Sequence, residues 1–195
     1  MKEYVIRPFT GWENAGVLRI DTPLWRDAGD ISARGRLAWD AEGLRVLLEA
    51  KERDIRDCER GPLGHPWEDS CLEFFLSPAE GDGRYMNIEM NPNACLCLGL
   101  GDGIERVRLL PERDWLRPEV RRGEAGWSLE YRVSFDLLRL LFPTFEFRAG
   151  GAMRGNLYKC GDLTENPHYL SWNPVESPTP NFHRPQDFGR LIFSL

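Results

Sequence analysis

Hydrophobic and polar positions alternate along most of this chain with a period of two, the period of a half-buried strand. The pattern is cleanest in two stretches. In Asp69–Leu76, Leu72, Phe74 and Leu76 share one face and Cys71, Glu73 and Phe75 the other; in Tyr85–Asn91, Met86, Ile88 and Met90 oppose Tyr85, Asn87, Glu89 and Asn91. Pro78, Gly81, Asp82 and Gly83 supply a turn between them. Pairing the two as a hairpin with apolar faces together puts Glu73 on one surface with Asn87 and Glu89.

The same period predicts strands over Val17–Ile20, Arg34–Trp39, Leu44–Glu52, Ala94–Leu100, Ile104–Val107, Glu119–Arg122, Trp127–Ser134, Gly150–Cys160 and Arg190–Leu195. Gly43, closing the Asp40-Ala41-Glu42-Gly43 turn, is expected to be left-handed. Ser134 is placed to cap a short helix, Phe135–Phe142, which is nearly all apolar and so expected to be buried on every side, with Pro143 as its stop. Residues 53–66 and 161–185 read as long loops. Roughly ten short antiparallel strands and one short helix make an all-β chain, a β-sandwich or jelly roll, with residues 1–195 as one domain.

Long loops in compact folds tend to carry function, and the first of these delivers Trp67. An indole face covers the C–H face of a sugar, amides donate and accept, and carboxylates accept. Trp67, Glu73, Asn87, Glu89 and Asn91 therefore form a platform suited to a polyhydroxylated ligand; the competing reading is the solvated outer face of a half-buried sheet. Along Gly150–Cys160, Arg154, Asn156 and Tyr158 share a face. Arg154 is the cation expected within hydrogen-bonding reach of Glu73 or Glu89. Trp12 and Trp25 read as lids on the core.

Composition changes this picture mainly by exclusion. With 42% hydrophobic and 29% charged residues the chain has the make-up of an ordinary globular protein. A net charge of -6 argues against nucleic acid or an anionic membrane as partner, and Glu119 and Glu124 interrupt the cluster of Arg117, Arg121 and Arg122. There is no membrane-length apolar run and no apolar leader after Met1, so the chain is expected to be cytoplasmic, or a processed piece of an exported protein. The five cysteines contain no C-x-x-C spacing and read as reduced packing residues. Cys95 and Cys97 share a face as two zinc ligands would, but no histidine accompanies them, and no cofactor is expected. Asp102 and Glu105 are the densest oxygen cluster available to a structural calcium. The Gly99-Leu100-Gly101-Asp102-Gly103 turn is not followed by a helix that could bind phosphate.

Several short motifs occur in a telling order: Pro66-Trp67-Glu68-Asp69-Ser70-Cys71-Leu72-Glu73-Phe74-Phe75, Asn87-Ile88-Glu89-Met90-Asn91, Gly155-Asn156-Leu157, Leu170-Ser171-Trp172-Asn173 and Phe188-Gly189-Arg190-Leu191. Across essentially the whole chain this resembles the family 9 carbohydrate-binding modules and their relatives in the DOMON-like sandwich group. The resemblance implies a clamp in which two aromatic side chains grip a terminal sugar while polar strand residues hold its hydroxyls. On it, Trp67 corresponds to the first aromatic, Glu73 to the hydrogen-bonding carboxylate and Asn91 to an amide of the next strand. Phe182, in Asn181-Phe182-His183-Arg184-Pro185, stands where the family has its second clamp tryptophan, with His183 and Arg184 at the rim, and Glu89 stands where its sugar binders carry an arginine. Trp172 corresponds to a core tryptophan. The implied function is non-catalytic binding of an oligo- or polysaccharide end. Two alternatives are a glycoside hydrolase with Glu73 and Glu89 as acid and base, against which an intervening arginine would lower their pKa, and a haem-binding domain, which would need an axial His or Met where Met86 and Met90 face the core.

Overall fold

The computed structural model describes residues 1–112 and 115–194. Its strands are β1 (Glu3–Pro8), β2 (Leu18–Ile20), β3 (Thr22–Pro23), β4 (Ser32–Trp39), β5 (Gly43–Lys51), β6 (Cys71–Ser77), β7 (Tyr85–Met90), β8 (Leu96–Gly101), β9 (Arg106–Leu109), β10 (Glu119–Gly123), β11 (Gly126–Ser134), β12 (Ala152–Gly161), β13 (His168–Ser171) and β14 (Gly189–Phe193). The expected β-sandwich is present. One sheet runs β10-β11-β5-β4 with β2 beside β4, and the other runs β14-β12-β6-β7-β8-β9 with β13 and β3 at its side. β1 joins them, pairing parallel with β14 along one edge and with β4 along the other, so the sheet is mixed and not wholly antiparallel. Leu195, expected to end the closing strand, lies outside the described residues.

The inner faces meet in one core, where Leu37, Val46, Leu48 and Leu129 pack against Leu72, Phe74, Met86 and Ile88. Met86 and Met90 belong to it, as alternation requires. Two local expectations fail. Gly43 does not take positive φ; a Cβ there would come within 2.4 Å of the Val133 carbonyl oxygen, so the residue is glycine because β11 passes so close. The helix α1 (Phe135–Leu141) is capped by Ser134 Oγ accepting from Leu137 N at 3.1 Å, but Leu140 is exposed, so only one side of it is buried.

The feature that positions the site is the other face of the second sheet. Every residue of β7, and all of β6 but Ser77, is buried, so the outward face is covered and not solvated. The cover is built from segments expected to be loops. A second apolar cluster joins Phe75, Tyr85 and Tyr158 of that face to Leu24, Val175, Phe182 and Phe188 over it, with Trp25, Trp67 and Tyr169 at its edge.

Candidate functional site

Strand register arranges this covered face in rows. Tyr158, Glu73, Glu89 and Cys97 lie side by side on β12, β6, β7 and β8; the next row is Asn156, Phe75, Asn87, Gly99 and Arg108. A cleft of about 510 Å³ opens over the rows, with Glu73, Asn87 and Glu89 in its lining. Trp25, Trp67, Tyr169 and Phe182 contribute aromatic lining, and Arg106, Arg108 and His183 polar lining.

The two carboxylates are a directly opposed cross-strand pair, as the hairpin predicts, and both are buried. Asn87 Nδ2 donates to Glu89 Oε1 at 2.8 Å, and Cys160 Sγ donates to Glu73 Oε1 at 2.8 Å. Burial, with the nearby Cys160 and Glu89, pushes Glu73 well above the usual carboxylate range. Burial raises Glu89 to about 7 against the opposing pull of the Asn87 amide, Arg106 and Arg108. The pair therefore holds a proton more readily than two exposed carboxylates would. The amide oxygen of Asn87 is buried without a hydrogen-bond partner. Gly99 lies directly across from it, and a Cβ there would come within 2.3 Å of that oxygen.

The cations are not where the sequence puts them. Arg154 is exposed and its Nη2 donates to the carbonyls of Gln186 and Phe188 at 3.1 and 2.9 Å, so it fixes the chain entering β14 and does not serve the carboxylates. Its register partners are Ser77 and Arg190, beyond the end of the carboxylate rows. Arg106 and Arg108 of β9 act instead. That strand runs Arg106–Leu109 and not Ile104–Val107, and both arginines line the cleft. The period-two pair of arginines was the signal for them. Arg106 and Arg108 pull on Glu89 but do not offset its burial.

Among the aromatics, Trp67 is half-buried on a 3-10 turn, Pro66–Glu68, stacked on the His65 ring at 4.7 Å, with the Arg108 guanidinium 4.8 Å from its centre. Phe182 is packed, its ring stacked on Tyr158 at 4.1 Å, and Trp25 leans on it at 5.6 Å. Trp25, expected to be a core lid, is half-buried in the cleft wall with its indole N–H on the Ser177 carbonyl at 2.7 Å. His183 meets the Tyr85 hydroxyl through Nδ1 at 2.8 Å and Arg106 through Nε2. Since the arginine can only donate, Nε2 accepts and Nδ1 carries the proton. Burial and Arg106 hold the ring neutral, with its pKa near 3.

Three expected contacts serve as scaffolding. Asn91 is fully buried and ties the first long loop to the sheet, donating to Asp69 Oδ2 at 2.7 Å and the Glu59 carbonyl at 3.0 Å. Asn156 donates to the Asn173 carbonyl and accepts from the Asn173 and Leu157 amides, each at 2.9 Å. Arg184 pairs with Asp187 at 2.6 Å. Asp102 Oδ1 accepts from the amides of Ile104 and Glu105 at 2.9 and 3.0 Å, which caps its own turn. Among the described residues no helix is long and apolar enough to cross a membrane.

A family model, carbohydrate-binding family 9, matches residues 10–193. No curated protein sequence matches the chain. The chain is similar to a solved structure of a candidate carbohydrate-binding protein from Bacteroides uniformis, with TM-score 0.83, 28% identity and 99% of each chain covered. Two structures of a family 9 carbohydrate-binding module from Caldicellulosiruptor kristjanssonii, in complex with cellotriose and with glucose, match at TM-scores 0.71 and 0.72. Each is 13% identical and covers 99% of this chain, with 94% and 96% of its own length matched, and at that identity they speak for the fold.

Proposed function

The chain belongs to carbohydrate-binding family 9, a family of non-catalytic modules, and from that premise we propose that it holds the end of a glycan in the cleft over β6, β7 and β8. The observation that carries this is the coincidence, in one cleft, of half-buried indoles with a floor of hydrogen-bond acceptors. Trp67 and the wall of Trp25 and Phe182 supply apolar faces for a ring; Glu73, Glu89 and the unpartnered oxygen of Asn87 accept from its hydroxyls. His183, held by Tyr85 and Arg106, closes one side. Asn91, Asn156, Arg154 and Arg184 hold the strands and loops that carry these groups. Cellotriose and glucose, present in the Caldicellulosiruptor structures, are the first ligands to try.

One sugar end buries few apolar groups, so affinity should lie between roughly micromolar and millimolar. Calorimetric titration of cellotriose, glucose and a panel of other oligosaccharides into the parent, Trp67→Ala, Trp25→Ala and Phe182→Ala tests this, with far-UV dichroism as the folding control. Binding by the parent and a drop of about tenfold in Trp67→Ala is expected. Undiminished binding in all three folded variants would place the ligand elsewhere.

A further inference from the structure

We propose that Cys71, Glu73 and Cys160 form a site for a thiophilic divalent cation, zinc being the common case, at the floor of the cleft. Cys71 and Glu73 are two residues apart on β6 and so share its outward face; Cys160 on β12 lies directly across from Cys71 in register. One ligand atom from each, two sulfurs and a carboxylate oxygen, all lie within 4.8 Å of one another. Bonds of about 2.3 Å to sulfur and about 2.0 Å to oxygen would set such ligands roughly 3.5 to 3.8 Å apart, so modest side-chain shifts suffice.

The three groups are poorly served as they stand. Cys71 Sγ meets the carbonyl of its neighbour Leu72 at a long 3.9 Å and otherwise the Cys160 thiol, and Cys160 Sγ is shared between Cys71, Glu73 and the Trp67 carbonyl. All three residues are almost completely buried, yet Glu73 and Cys160 line the cleft, which gives an ion a way in and leaves a fourth position open to water. Two thiolates and one carboxylate are a zinc or cobalt donor set; calcium takes six or more oxygens and magnesium an octahedron of them. Burial pushes both thiols up, Cys71 to about 12. Each cysteine gives up its thiol proton as its metal–sulfur bond forms, and the Glu73 carboxylate contributes one metal–oxygen bond.

The test uses cobalt as a spectroscopic probe, on reduced protein, with no sugar present. One Co²⁺ per chain is expected, with sulfur-to-metal charge-transfer absorption and strong visible bands of tetrahedral cobalt. X-ray absorption on the unaltered protein should count two sulfurs. Cys71→Ser, Cys160→Ser and Glu73→Gln should each lose or shift the bands. Cys97→Ser, in the same cleft but outside the trio, and the exposed Cys58→Ser should keep them. Zinc should compete the cobalt away where calcium and magnesium do not. A parent without thiolate bands, or bands that survive in both Cys71→Ser and Cys160→Ser, overturns the site, as does an absorption edge showing only oxygen and nitrogen.

Discussion

Two buried polar clusters sit on opposite faces of β6 and β12, and they differ in how completely their atoms are partnered. On the core side, Lys159 is fully buried; its Nζ reaches Glu52 Oε2 at 3.3 Å, His168 Nε2 at 2.7 Å and the Cys160 carbonyl at 2.9 Å. Glu52 accepts further from Ser70 Oγ at 2.9 Å and Trp127 Nε1 at 2.6 Å. His168 Nδ1 donates to the Asn166 carbonyl at 2.7 Å, which leaves Nε2 free to accept from the lysine. On the cleft side, Glu73 and Glu89 face each other with arginines acting only through space, and the Asn87 oxygen has no partner. The first cluster closes on itself and is architecture. The second is left open toward a cleft, which is the ground for the ligand proposed above.

The largest effect should come from breaking the closed cluster. Lys159→Met strands the Glu52 carboxylate in the core, and one broken partner of a buried pair costs about 3–5 kcal/mol. Urea unfolding should show this loss. The double variant Glu52→Gln with Lys159→Met, which leaves no buried charge, should recover part of it. A single variant as stable as the parent would mean that Glu52 is solvated and the cluster is not a unit.

The second contrast is in pH dependence, where Glu89 on the cleft side and His168 on the core side have opposite signs. Glu89 has its folded pKa raised from 4.5 to about 7, so the folded state binds this proton more tightly than the unfolded chain. Its contribution is fully present below 4.5 and is lost as pH rises through 7. Burial and Lys159 lower His168 to about 4, so its contribution is present above its unfolded value of 6.5 and lost as pH falls toward 4, and His183 behaves likewise. Glu89→Gln removes the charge without removing the shape. Urea midpoints should coincide with the parent's near pH 4.5, and the variant should be more stable by roughly 2–3 kcal/mol at pH 8. Equal curves across that window would show that Glu89 is ionised at no cost and that the pair is not starved of cations.

These clusters also mark how far the sequence could be read. Period two located most of the strands and the Glu73–Glu89 pairing, because both faces of a hairpin obey one alternation. It missed β1, whose burial alternates only briefly and whose partners are parallel strands, the two-residue β3, and β13, a short strand among prolines and asparagines. It gave the cleft-side face of β6 and β7 correctly as a surface, but not its cover, since which loop lies over a sheet is decided by tertiary packing that no local period encodes. The choice of Arg154 over Arg106 and Arg108 failed for a related reason. Shared alternation says which face a residue takes on its own strand, whereas reach also depends on how far along the neighbouring strand it lies, and Arg154 sits beyond the carboxylates. Trp67, Glu73, Asn87, Glu89, Phe182 and His183 are brought into one cleft; the binding role of each stands as the proposal made above.

The smallest effect on the fold should be the most telling about the site. Gly99 lies across β8 from Asn87, its backbone is not in the left-handed region, and an added Cβ would meet the side-chain oxygen of Asn87 at 2.3 Å. That oxygen is at the end of a rotatable amide, so Gly99→Ala pushes the amide aside more easily than it deforms the strand. The added methyl also reduces the freedom of the unfolded chain, which offsets part of the crowding, and net stability should change by less than about 1 kcal/mol. Gly35→Ala is the control on the other face: a Cβ there meets the buried methyls of Leu157 at 2.5 Å and Leu48 at 3.1 Å inside the core, where overpacking costs about 1–3 kcal/mol. If the Asn87 oxygen accepts from a sugar hydroxyl, Gly99→Ala should weaken cellotriose or its best-binding substitute by about tenfold, the worth of one hydrogen bond. Gly35→Ala should leave the affinity of its folded fraction unchanged. Calorimetry alongside urea unfolding separates the two. A Gly99→Ala protein that binds as tightly as the parent would remove Asn87 from the ligand's contacts and leave its buried oxygen without a purpose.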